Sequence, residues 1–205
     1  MQTLAQQISK KIESGEIPLA VKRHIKENLN PKFKLRPYQQ EAFARFDFQL
    51  NQTKSSANPK QLLFQMATGS GKTLVMAGLI LDLYQRGYRN FIFFVNSSTI
   101  IEKTRDNFLN PLSSKYLFNQ ALYFADKHVK VAEVGNFETN NTEHINIVFT
   151  TIQGLHSQLN TPKENALTYQ DFESKHIVLF SDEAHHINST TKKGKNSKEG
   201  SQNSL

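Results

Sequence analysis

At 205 residues and without cysteine, the chain is long enough for one domain with a buried core and excludes disulfide and thiolate chemistry. Its 38% hydrophobic and 21% charged residues describe an ordinary soluble chain, and no apolar run approaches the eighteen or so residues of a membrane span. The opening MQTLAQQISKKIESGE is polar and mixed in charge, which excludes a secretory signal and makes a cytoplasmic location the expectation.

The formal net charge of +7 favours a polyanionic partner, because lysines and arginines that displace counterions gain affinity for phosphate backbones. A basic tail explains the same figure, since Lys192, Lys193, Lys195 and Lys198 crowd the end of the chain.

Residues 1–32 read as a helical lead-in, with amphipathic stretches from Leu4 to Ile12 and Leu19 to Leu29 broken near Gly15 and Pro18. Pro37 suits the first turn of a helix running through Leu50, with Tyr38, Ala42, Phe43 and Phe46 on one face. A polar loop, NQTKSSANPK, follows over residues 51–60. Four short apolar runs come next: Leu62–Met66, Phe91–Val95, Ile145–Phe149 and Ile177–Phe180. Runs without polar alternation fit parallel strands covered on both faces, which predicts an α/β fold with a mainly parallel sheet. Between the first two runs, Lys72–Arg86 is apolar nearly all round and ends at Gly87, a helix with a glycine cap. Strand, helix and strand then make a βαβ unit. Residues 189–205 hold almost no apolar side chains and read as a disordered basic tail.

Met66-Ala67-Thr68-Gly69-Ser70-Gly71-Lys72-Thr73 lies between the first apolar run and this helix, the context that a phosphate-binding loop requires. Gly69 and Gly71 let the backbone curl so that the N–H groups of Ala67 to Thr73 converge on phosphate oxygens, and the helix N-terminus favours an anion. In such a loop Lys72 reaches the β- and γ-phosphates of ATP, and the Thr73 hydroxyl ligates Mg2+. The strict pattern has glycine where Met66 stands, so this is its relaxed form.

Ile177–Phe180 leads directly into Ser181-Asp182-Glu183-Ala184-His185-His186. Beside a phosphate loop, Asp182 at a strand end is a second Mg2+ ligand and Glu183 the base that polarises the attacking water. An acidic pair in this position also reads as a solvated loop or a helix cap. His185 and His186 allow a metal pair, but neighbouring side chains diverge, and hydrogen-bonded coupling of His185 to adjacent elements is the better reading.

These stretches resemble superfamily 2 helicases and translocases. Asp182-Glu183-Ala184-His185 spells the DEAH box, and Ala67–Thr73 the ATGSGKT loop. Leu35-Arg36-Pro37-Tyr38-Gln39 looks like the adenine-reading segment, so the resemblance makes Gln39 an adenine contact; otherwise it is a surface residue of its helix. Thr150-Thr151-Ile152-Gln153 is similar to the segment that touches the nucleic-acid backbone, and Asn96 falls where another such contact belongs. Capping of the following helix is the alternative role for Thr150 and Thr151. Within the superfamily, MATGSGKT, LRPYQ and DEAHHI together resemble the restriction subunit of type III restriction–modification enzymes.

The resemblance covers about residues 33–188 and implies a RecA-like P-loop domain, the first of two, with ATP and Mg2+ as cofactors. It implies double-stranded DNA and a modification (methyltransferase) subunit as partners. The second RecA-like domain, with its arginine finger, and the nuclease are expected outside this sequence, leaving the chain alone nearly inactive. A fragment, an interrupted reading frame and a separately encoded half all fit that expectation. Two rival readings remain: a module that holds ATP or DNA without turnover, and part of a superfamily 2 RNA helicase.

Overall fold

Four strands lie parallel in the order β4-β5-β1-β6, with β1 Asn90–Val95, β4 Val131–Glu133, β5 Ile145–Thr151 and β6 Ile177–Ser181. The computed structural model describes residues 2–52, 59–95, 97–138, 141–161 and 163–182. The chain divides into two units, residues 1–87 with 116–129, and residues 88–115 with 130–205. The fold is α/β, as the apolar runs predict.

The sheet belongs to the second unit. Phe93 pairs in register with Phe149 on one side and Phe180 on the other. Strand alternation sends all three rings to one face, where Phe108 of helix α5 (Ser98–Leu109) packs against Phe93 and Phe149. The opposite face buries Ile92 and Val148 with Phe137 and Leu167. Leu155 of α6 (Ile152–Asn160) and Phe172 of α7 (Tyr169–Ser174) close over it. Burial on both faces explains why β1 and β5 read as unbroken apolar runs. β6 departs from that expectation: it lies at the edge of the described sheet, and its Leu179 is 52% exposed.

The first unit is helical. Helix α1 (Leu4–Glu13) starts in a capping box of Thr3 and Gln6, and buries Ile8 against Ala44 and Ile17. α3 (Pro37–Gln52) opens on Pro37 as expected and buries Ala42, Phe43 and Phe46. Tyr38 does not join that face; it is 40% exposed. α4 (Lys72–Gln85) is buried over most of its length and stops before Gly87, whose φ of +100° suits glycine. A side chain at Gly78 would strike the Phe43 ring at 2.4 Å, so glycine is what lets α3 and α4 approach.

Three expectations need correction. Leu62–Met66 forms no strand: it joins no ladder, and Leu63 is 84% exposed. The expected βαβ unit therefore lacks its first strand among the described residues. An apolar run becomes a strand only when another strand takes up its backbone hydrogen bonds, and none does so here. The second N-terminal helix is shorter than Leu19–Leu29: α2 spans Arg23–Asn28, because Lys22 is extended (ψ 147°) and Leu19–Ala20 carry no helix. An unexpected hairpin, β2 (Leu122–Phe124) with β3 (Lys127–Val129), packs on α2. Asn28 bonds both backbone groups of Tyr123, at 2.7 and 2.9 Å. The tail 189–205 and residues 53–58 of the polar loop lie outside the described residues.

Candidate nucleotide-binding site

The glycine loop is built as its sequence requires. Gly69 and Gly71 have φ of +75° and +83°, conformations that other residues adopt only under strain. Between them the backbone turns, with Ser70 N–H donating to the Ala67 carbonyl at 3.2 Å. Gly71 is the N-cap of α4 and supplies no side-chain acceptor, so the first N–H groups of Lys72 and Thr73 have no side-chain cap. Ser70 Oγ is buried without a hydrogen-bond partner. An orphan hydroxyl beside an uncapped helix start fits an oxygen-rich anion such as a phosphate chain. Ala67, Thr68 and Gly69 are exposed, and Ser70 to Thr73 half-buried, so the loop faces solvent.

The start of α3 holds this loop. Gln39 is 4% exposed, which removes its reading as a surface residue. Its Nε2 donates to the Ser70 carbonyl at 2.8 Å, and its Oε1 accepts from Arg36 N–H at 3.0 Å. Tyr38 Oη donates to the same carbonyl at 3.0 Å and accepts from Arg36 Nη1. A Cβ on Gly71 would stand 2.5 Å from Gln39 Nε2, so glycine is needed there for space as well as conformation. Sequence reasoning found Gln39 but missed Tyr38; the signal was its place beside Gln39 at the helix start.

In the second unit, the carboxyl ends of the parallel strands carry the other candidates. Val95 pairs with Thr151, and Phe94 with Ser181. Asp182 follows β6 and donates its N–H to the Phe94 carbonyl at 3.4 Å. Thr151 caps α6, its Oγ accepting from Gly154 N–H at 2.8 Å. Thr150 is buried and donates to the Thr151 carbonyl at 3.2 Å, while Gln153 is exposed in the first turn of α6. Asn96, Glu183 and His185 lie outside the described residues.

The glycine loop and the strand-end acidic box are accompanied by a family match over residues 32–203, to the family described as type III restriction enzyme, res subunit. The chain belongs to that family. Its parallel α/β sheet is that of a RecA-like domain, as the family implies. It is similar to the probable type III restriction-modification enzyme HindVIP Res subunit of Haemophilus influenzae, with 42% identity over 134 residues. That alignment covers 65% of this chain and 26% of the relative, so the chain spans about a quarter of the curated Res subunit that it matches. No solved structure is significantly similar. No described helix of this family member is long and apolar enough to cross a membrane.

Proposed function

We propose that the chain is the ATP-binding motor half of a DNA-directed superfamily 2 ATPase, within a type III restriction enzyme. The observation that carries the reading is the loop Ala67–Thr73, with an uncapped α4 start and the orphan Ser70 Oγ, held by Gln39 and Tyr38. Residues 33–188 form the ATP-binding region and residues 1–32 its helical lead-in.

In this reading Lys72 binds the β- and γ-phosphates, with backbone N–H groups of the loop beside it. Thr73 and Asp182 hold Mg2+, which neutralises phosphate charge when bound. Glu183 takes the proton of the attacking water, and His185 couples the site to its neighbours. Gln39 reads adenine with the amide hydrogen and lone pair that Ser70 and Arg36 leave unused. Thr151 and Gln153, with Thr150 and Asn96, touch the DNA backbone at the carboxyl edge of the sheet, where open α/β folds bind ligands. A second RecA-like domain supplies an arginine finger, worth roughly a thousandfold or more in rate. A modification subunit supplies target recognition, and the complex works in the cytoplasm.

Calorimetry with MgATP tests the central claim. Lys72→Ala is expected to abolish binding while the melting temperature stays at the wild-type value. Equal affinity in the two proteins removes the assignment of the loop.

A further inference from the structure

The tail, with four lysines and Glu199, accounts for only part of the positive charge. Residues 1–87 hold 13 Lys and Arg against 6 Asp and Glu, an excess of seven, while over residues 88–205 the tail is offset by acids that precede it. Most of it falls in Lys22–Arg36, six cations against Glu27 alone. Lys22 bonds Asp47 and Asp82, and Arg23 bonds Glu27 at 2.6 Å. Lys26, Lys32, Lys34 and Arg36 are exposed, and no acid interrupts the chain from Asn28 to Gln40.

From Lys32 onward the segment has neither helix nor ladder, and exposure alternates. Lys32, Lys34 and Arg36 are exposed, while Phe33 and Leu35 are half-buried. Lys32 lies in a turn in which Phe33 N–H donates to the Asn30 carbonyl at 3.0 Å, and residues 34–36 run on from it to the start of α3. The backbone beneath is fixed before any ligand arrives. Asn30 N–H and Nδ2 bond the Leu117 and Tyr116 carbonyls, both at 2.9 Å, and its Oδ1 accepts from Lys32 N–H at 3.1 Å. Further on, Gln40 Nε2 bonds the Leu35 carbonyl, and Arg36 N–H bonds Gln39. Lys32 Nζ lies 4.9 Å from the Phe33 ring centre. The row therefore loses little backbone entropy on binding.

We propose that Lys32, Lys34 and Arg36 form a strip that tracks the phosphate backbone of duplex DNA, in addition to the contacts at Thr151 and Gln153. The inference rests on the reading of the chain as DNA-directed. Three exposed cations within five residues, with no acid from Asn28 to Gln40, suit a polyanionic backbone, and duplex DNA is the polyanion that the proposed function supplies. Contacts of this kind position without reading sequence, as a moving enzyme requires.

The test is duplex binding by the full chain, followed by fluorescence anisotropy on two unrelated sequences from 50 to 200 mM salt. In Lys32→Ala/Lys34→Ala the slope of log affinity against log salt is expected to shrink by about 1.8, at roughly 0.9 per lost phosphate contact. Both sequences should respond alike, and Lys32→Arg/Lys34→Arg should keep the wild-type slope. Lys163→Ala/Lys175→Ala, an equal loss of exposed charge in the second unit, should keep it too. The proposal is overturned by an unchanged slope in the Lys32/Lys34 variant, which would leave an acidic protein as the occupant. An equal fall in the Lys163/Lys175 control, or a wild type that binds no duplex, overturns it as well. MgATP affinity, measured on the same samples, stays at the wild-type value, so failure of the nucleotide reading shows in a separate signal.

Discussion

Gln39 Nε2 sits 2.8 Å from the carbonyl oxygen of Ser70, joining the first turn of one helix to the loop that opens another, 31 residues away. The amide is used at both ends, since Arg36 N–H occupies its Oε1. A residue expected to read adenine thus also shapes the loop that holds phosphate.

Gln39→Ala is accordingly expected to weaken ATP and GTP together. Leaving the buried partners of the amide less satisfied costs about 1–3 kcal/mol, which lowers Tm by several degrees in a chain of this size. Calorimetry with both nucleotides and a thermal melt check this. A loss confined to the preference for ATP over GTP, with an unaltered melt, would assign Gln39 to base reading alone.

Asp82 lies inside the apolar run of α4 with its side chain 3% exposed. Burial alone would raise its pKa, but hydrogen bonds from His24, Arg86 and Lys22 outweigh that and hold its carboxyl well below the ordinary 3.8. Arg86 also bonds Asp47, which bonds Lys22 in turn. A depressed carboxylate contributes stability above its unfolded pKa and loses it as pH falls through the folded one. Asp82→Asn should cost about 3 kcal/mol at pH 7, the low end for a broken buried pair because Lys22 and Arg86 reach solvent. Denaturant melts of both proteins should show that gap narrowing below about pH 4. A gap of constant size from pH 7 to pH 3 would show that the charge of Asp82 contributes nothing.

Thr151 has a structural role independent of DNA, as the N-cap of α6. Thr151→Ala should cost about 1 kcal/mol and Thr151→Ser much less, since serine keeps the accepting oxygen. Gln153→Ala, at an exposed site, should leave the melt within about 0.5 kcal/mol of wild type. If Thr151→Ala melts like the wild type, the bond to Gly154 is not stabilising α6. A fall in Gln153→Ala as large as that in Thr151→Ala would show that the helix start, rather than the cap, is fragile.

The sequence by itself determined the features whose physics is local. Gly69 and Gly71 announce a left-handed loop, Gly87 ends a helix, Pro37 begins one, and Phe91–Val95, Ile145–Phe149 and Ile177–Phe180 are apolar enough to be sheet strands. Thr151 as a cap was legible too, because its partner lies three residues on. The tertiary structure decided whatever depends on a distant partner. Leu62–Met66 has the composition of a strand, but a strand is defined by its neighbour's hydrogen bonds, and no described strand supplies them. Burial of Asp82 in an apolar helix looks unfavourable along the chain; only folding brings Lys22 and His24 to it, across 60 and 58 residues. Gln39 likewise names its chemistry in one dimension, an amide with a donor and an acceptor, while its nearest partner is set by packing of α3 against the glycine loop.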